Sequence, residues 1–170
     1  GTSSGIVSVT VTNSSNCSAS SSLTVGSCCS KEQVAFNYGI PVGSITVFNN
    51  NTTIASNTYF NQSFLINGTY TVNHNTTFNN CRIFMGPDAK INDNSGIILS
   101  GQTGSFLPNT FVRSACNDIM WDGIYINPNA QLTINFPLQT TSSPLLQDAK
   151  NAVVVVNAGG TYNISNAIFD

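Results

Sequence analysis

"IYINPNAQL", residues 124–132, reads as two short strands around a Pro-Asn turn, with aliphatic side chains at every second strand position. The same strand–turn–strand form recurs in "IFMGPDAKI" (83–91), in "VVVNAGGTYNI" (154–164) and, more loosely, in "FLINGTYTV" (64–72). Period-two alternation also runs through "GIVSVTVT", "GSITVF" and "QLTIN", and no segment sustains a 3.6-residue apolar period. The best helical candidate, "SPLLQDAKNAV", is broken by Pro144 and runs into a β-branched block. The chain is expected to be all-β.

Laid over one another, with Ile83 matched to Ile124, the copies give a unit of about 20–30 residues, the signature of a β-solenoid. Residues 100–118 account for the long step between the first two full copies and read as an inserted loop. One such unit cannot bury its own inward side chains. Stacking units about 4.8 Å apart buries them and pairs each strand with the strands above and below. The expected inward positions are Ile83, Met85, Ile91, Ile97, Leu99, Ile124, Ile126, Leu132, Ile134, Val154, Val156, Ile164 and Ile168. Outward positions are mostly Asn, Thr, Ser and Tyr. Asn stacked in the turns is expected to form amide ladders between coils, a use for this residue that needs no ligand. Residues 64–170 are assigned to the coils and residues 1–63 to an N-terminal β-rich capping region. "GGTYNISNAIFD" reads as a half-finished coil, so the coils are expected to continue in a longer protein or to be covered by a partner.

Three stretches carry a resemblance: "CRIFMGPDAKI", "ACNDIMWDGIYINPNAQLTI" and "LLQDAKNAVVVVNAGGTYNISNAIF". With Cys81, the Met85-Gly86-Pro87 run, Cys116, Met120-Trp121 and Asp148-Ala149, they resemble the β-helix region of large exported surface proteins of Bacteroidetes bacteria. The likeness covers residues 64–170. It implies a right-handed parallel β-helix on a secreted or outer-surface protein, often one that leaves through the type IX secretion system. Secretion-machinery components, glycans and other surface proteins are then the expected partners.

Only 7% of residues are charged and the net charge is −2. There is no electrostatic footprint for nucleic acid, and no apolar run long enough to span a bilayer. A single histidine, His74, and no Cys-x-x-Cys pair leave no recognisable metal site, and no cofactor is implied. The five cysteines form an odd set, and a charge-poor, Asn/Thr-rich chain suits an oxidising compartment. The expected bridges are Cys17 with Cys28 or Cys29, and Cys81 with Cys116.

Residues 116–126 hold the one tryptophan. Trp121, before Gly123-Ile124, is read first as cover for the inserted loop and the coil edge. The functional alternative makes Trp121 and Tyr125 a stacking platform for sugar rings. Asp118 and Asp122 flank the tryptophan; their even spacing would point both to one face of a strand, as paired carboxylates of a glycoside hydrolase require. The sequence "NDIMWD" reads better as a turn in which Asp caps backbone amides. There is no Gly-x-Ser-x-Gly elbow, and one histidine is a poor basis for a nucleophile–base pair. The expected function is therefore a non-catalytic surface scaffold or adhesin-like protein making surface or carbohydrate contacts. The alternative is a β-helix polysaccharide lyase or glycoside hydrolase with part of its site outside these residues.

Overall fold

A computed structural model of the chain describes residues 5–25, 29–49, 52–53, 58–101, 110–117, 119–135, 146–165 and 167–170. Strands β1 (Gly5–Thr12) and β2 (Ser18–Val25) form an antiparallel hairpin. Helix α1 (Lys31–Tyr38) follows, then a 3-10 turn, Val42–Ser44. Fourteen strands come next: β3 (Ile45–Asn49), β4 (Thr52–Thr53), β5 (Thr58–Phe60), β6 (Ser63–Asn67), β7 (Thr69–Val72), β8 (Thr76–Asn79), β9 (Arg82–Met85), β10 (Lys90–Asp93), β11 (Gly96–Ser100), β12 (Phe111–Ser114), β13 (Trp121–Ile126), β14 (Gln131–Asn135), β15 (Ala149–Val155) and β16 (Thr161–Ser165). They assemble into three parallel sheets, β3-β6-β9-β12, β4-β7-β10-β13-β15 and β5-β8-β11-β14-β16. The chain visits the first, second and third sheet in rotation, so each pass lays one strand on the previous one in every sheet.

The turns repeat with the sheets. Asn67 donates to Asn49 at 3.0 Å across 18 residues, Asn80 to Asn61 at 2.5 Å across 19, and Asn94 to Asn73 at 2.8 Å across 21. Asn127 continues the last ladder onto Asn94 at 2.5 Å, across 33 residues. These separations measure one pass, and the longer one contains an insertion. The amide ladders expected from the sequence are present at the turns after the first, second and third sheets. Asn61 and Asn80 also take positive φ, which their short polar side chains tolerate. The Asn49–Asn67 ladder stops at Gly86, where any Cβ would run into the Asn67 side-chain oxygen.

Inside the sheets lies one core: Phe64, Ile83 and Val112 from the first, Tyr70, Ile91 and Ile124 from the second, Phe78, Leu99 and Ile134 from the third. A second core lies on the outer side of the first sheet. There Val34, Ala35 and Ile40, from α1 and the residue after its Gly39 cap, cover Ile45, Leu65 and Phe84. Tyr38 packs on Phe84 with ring centroids 4.6 Å apart. Cys29 and Cys116, 87 residues apart with Cα atoms 5.2 Å apart, join the start of the helix to the segment after β12.

Several expectations are corrected. Ile83 lies on Phe64 and Val112 in the first sheet, whereas Ile124 lies on Ile91 in the second. The overlay of 83–91 on 124–132 was therefore displaced by one sheet, because strand–turn–strand looks alike at each turn. Parallel pairing begins at Ile45 rather than residue 64. Residues 111–114 of the supposed insertion are strand β12. Val153 and Val155 follow Ile124 and Ile126, not Val154 and Val156, because the register slips at Gly123/Ile124. Gly123, at φ 140°, allows that slip: a side chain there would collide with the Asn151 carbonyl. Val155, Val156 and Ile168 are all about two-fifths exposed, on the last pass. The Cys81–Cys116 bridge is replaced by Cys29–Cys116; Cys81 is buried and free, and burial pushes its thiol up. Cys17 is exposed and free, and Cys28 lies outside the described residues.

Candidate functional site

The chain is poor in charge, yet three of its five Lys and Arg (Lys90, Arg113, Lys150) and three of its seven Asp and Glu (Asp88, Asp122, Asp148) gather where it crosses from the first sheet to the second. The crossing carries a short repeat, Asp88-Ala89-Lys90 before and into β10 and Asp148-Ala149-Lys150 before and into β15. Asp88 and Asp148 both take positive φ, 55° and 63°, so each turns the backbone before an outward lysine. Lys150 forms an ion pair with Asp88, two strands away in the second sheet. That contact holds the Asp88 carboxyl below its usual range and the Lys150 ammonium above its own.

Beside this pair, the outer face of the second sheet carries an ordered row: Thr53, Thr71, Asn92, Tyr125 and Val154 lie on successive strands. Tyr125 is half-buried, with the Lys90 ammonium 5.4 Å from its ring centroid. Burial raises the Tyr125 phenol, and the negative charge of the neighbouring Asp122 carboxylate raises it further. The result is an aromatic ring flanked by an amine and a carboxylate on a flat, polar face. Such a surface can take a sugar ring against Tyr125 and hydroxyls on Lys90 and Asp122.

Trp121 cannot share in this. Its side chain is fully buried among the inward residues, and its indole N–H donates to the Gln147 carbonyl at 2.7 Å. The sugar-platform expectation for Trp121 is corrected: in β13 it takes the inward parity and Asp122 the outward one. Asp118 lies outside the described residues, so the Asp118–Asp122 pair has no geometry to assess. Of the other acids, Asp93 is set apart by its burial. It ends β10 facing inward, fully buried between Val72 and Ile126. One of its oxygens accepts the Ser95 amide at 3.1 Å and the other has no partner. Burial lifts its pKa to about 6. No group of three His, Cys, Asp or Glu able to hold a metal occurs among the described residues. Among the described residues, no helix is long and apolar enough to cross a membrane.

The Lys150–Asp88 pair was not foreseen, although the repeated Asp-Ala-Lys could have signalled it. Comparison with known proteins adds no name to this geometry: no family model, no curated protein and no solved structure matches the chain.

Proposed function

We propose that this chain is a right-handed parallel β-helix from a secreted or surface-exposed protein, a non-catalytic scaffold that contacts carbohydrate through the outer face of its second sheet. Three parallel sheets visited in rotation, asparagine ladders at the turns and the resemblance to exported Bacteroidetes surface proteins support the architecture and the location. The same resemblance supports export as a type IX secretion cargo. The observation that carries the binding role is Tyr125 flanked by Lys90 and Asp122, in a chain that otherwise spends little on charge.

A glycan array followed by titration of the best ligand tests it. Binding without turnover, weakened about tenfold or more by Tyr125→Ala, is the expected result, as for loss of a stacking aromatic worth roughly 1–3 kcal/mol. Release of reducing ends or unsaturated uronates, abolished by Asp122→Asn, would instead establish a β-helix hydrolase or lyase.

A further inference from the structure

We propose that the cleft between α1 and the end of the first sheet binds a small zwitterion, a free α-amino acid, with Arg113 taking its carboxylate and Asp148 its ammonium group. The cleft holds about 370 Å³ and is walled by Tyr38, Arg113, Ser114, Asn117, Gln147 and Asp148. Its two charges are opposite and share one space, yet they are not paired. Among the described residues the ion pair is Lys150 with Asp88, and none of their carboxylates lies within 4.0 Å of Arg113.

Arg113 is held ready for a ligand. Its guanidinium lies over the Tyr38 ring at 4.9 Å, and that ring is itself fixed against Phe84. Its Nε is buried and lacks an acceptor, a state that is costly to leave uncorrected. A planar guanidinium matches a carboxylate through two parallel hydrogen bonds. A simple anion on Arg113 would leave the Asp148 carboxylate uncompensated beside it, and a simple cation on Asp148 would meet Arg113. A molecule with both charges a few ångströms apart satisfies the two together. The rest of the wall suits a polar side chain. The Ser114 hydroxyl is already used on the Cys116 carbonyl at 2.7 Å, and the Gln147 side-chain N–H on the Asp170 carboxylate at 3.4 Å, which leaves the Asn117 amide and the Gln147 side-chain oxygen to make contacts. The Cys29–Cys116 disulfide ties α1, which carries Tyr38, to the strand that carries Arg113, so the two walls are set before the ligand arrives.

Calorimetric titration of the intact, oxidised protein with L-glutamine, N-acetyl-L-glutamine and L-glutaminamide tests the assignment. The first has both charges, the second lacks the ammonium group and the third lacks the carboxylate. Glutamine is expected to bind on the order of tenfold more tightly than either blocked form, the effect of losing one charge-assisted hydrogen-bonded pair. Arg113→Gln should weaken glutamine and N-acetylglutamine and tighten glutaminamide, whose ammonium group no longer meets a like charge. Asp148→Asn should weaken glutamine and glutaminamide and tighten N-acetylglutamine, whose carboxylate no longer meets a like charge. Absence of glutamine binding at millimolar concentration overturns the proposal. So does equal binding of N-acetylglutamine or of galacturonate, which would make the cleft a plain anion site. Uniform weakening of all three ligands by both variants overturns the residue assignment. If a variant fails to fold, the three ligands on the unaltered protein still decide.

Discussion

The first sheet and the second are built from the same kind of strand and stacked in the same way, but they are buried differently. In the first, Phe64, Leu65 and Ile66 on β6 and Ile83, Phe84 and Met85 on β9 are all buried, because the inner core lies on one side and α1 on the other. In the second, burial alternates strictly along β7 and β10: Tyr70 and Val72 are inside with Thr69 and Thr71 outside, then Ile91 and Asp93 inside with Lys90 and Asn92 outside. Alternation is thus a property of a sheet with one wet face, and a sheet covered on both faces loses it. The contrast also separates the two proposed sites. The covered sheet carries the second core and the Arg113 cleft, while the uncovered one leaves a ruled polar face for contact.

Two neighbouring pairs of residues put this contrast to the test. Ile83→Ala and Phe84→Ala point to opposite sides of the first sheet, and both should cost heavily in urea unfolding, about 2–5 and 3–5 kcal/mol. On the second sheet, only the inward member of Ile91 and Asn92 should behave that way. A cheap Phe84→Ala would mean that α1 does not cover the sheet.

The next largest effect separates the two cores. Replacing Cys29 and Cys116 by serine is expected to cost about 2–4 kcal/mol, since the bridge closes a long loop in the unfolded chain. The strand signal in far-ultraviolet circular dichroism should persist, with protection of the α1 amides from hydrogen exchange reduced first. Equal loss of protection in α1 and in β10 would merge the two cores into one cooperative unit.

Asp93 gives a smaller effect, and its sign is fixed. Its folded pKa, about 6, lies above the ordinary carboxylate value, so between pH 4 and 6 the folded state holds a proton that the unfolded state has lost. Stability should therefore fall as pH rises through this window and stay reduced above it. Asp93→Asn should remove that slope and stabilise the protein at pH 7 by about 1–3 kcal/mol. Melting temperatures across the window check it, and an unchanged slope in the variant would contradict it. Asn92→Ala closes the series. On the wet face it should shift unfolding by no more than about 0.5 kcal/mol.

The parts of the fold that could be read from the sequence are those where one face is dry. Ile91, Ile97, Leu99, Ile124, Ile126, Leu132 and Ile134 were all placed inward from alternation, and all are buried. The asparagine ladders were foreseen because the turns are rich in that residue. The helix was missed because it is only eight residues long, with Phe36 exposed, so no apolar stripe builds up. Its boundary signals were nevertheless present: Ser30, whose side chain caps the Gln33 amide, and Gly39 in the left-handed conformation. The β15 register failed at a bulge, which alternation cannot show until Gly123 is seen against the Asn151 carbonyl. Pairing of Cys29 with Cys116 joins residues 87 apart, beyond the reach of local spacing. At the candidate site, Tyr125 and Asp122 were named from the sequence and are brought together, while Arg113 and Asp148 meet only through the stacking of passes.

The fold rests on the in-register stacking of successive passes, and backbone NMR tests that stacking most directly. The expected result is interstrand amide–Hα contacts that pair Ile91 with Ile124 and Asn92 with Tyr125, continuing down to Tyr70 and Thr71. Contacts pairing Ile83 with Ile124 instead would contradict it.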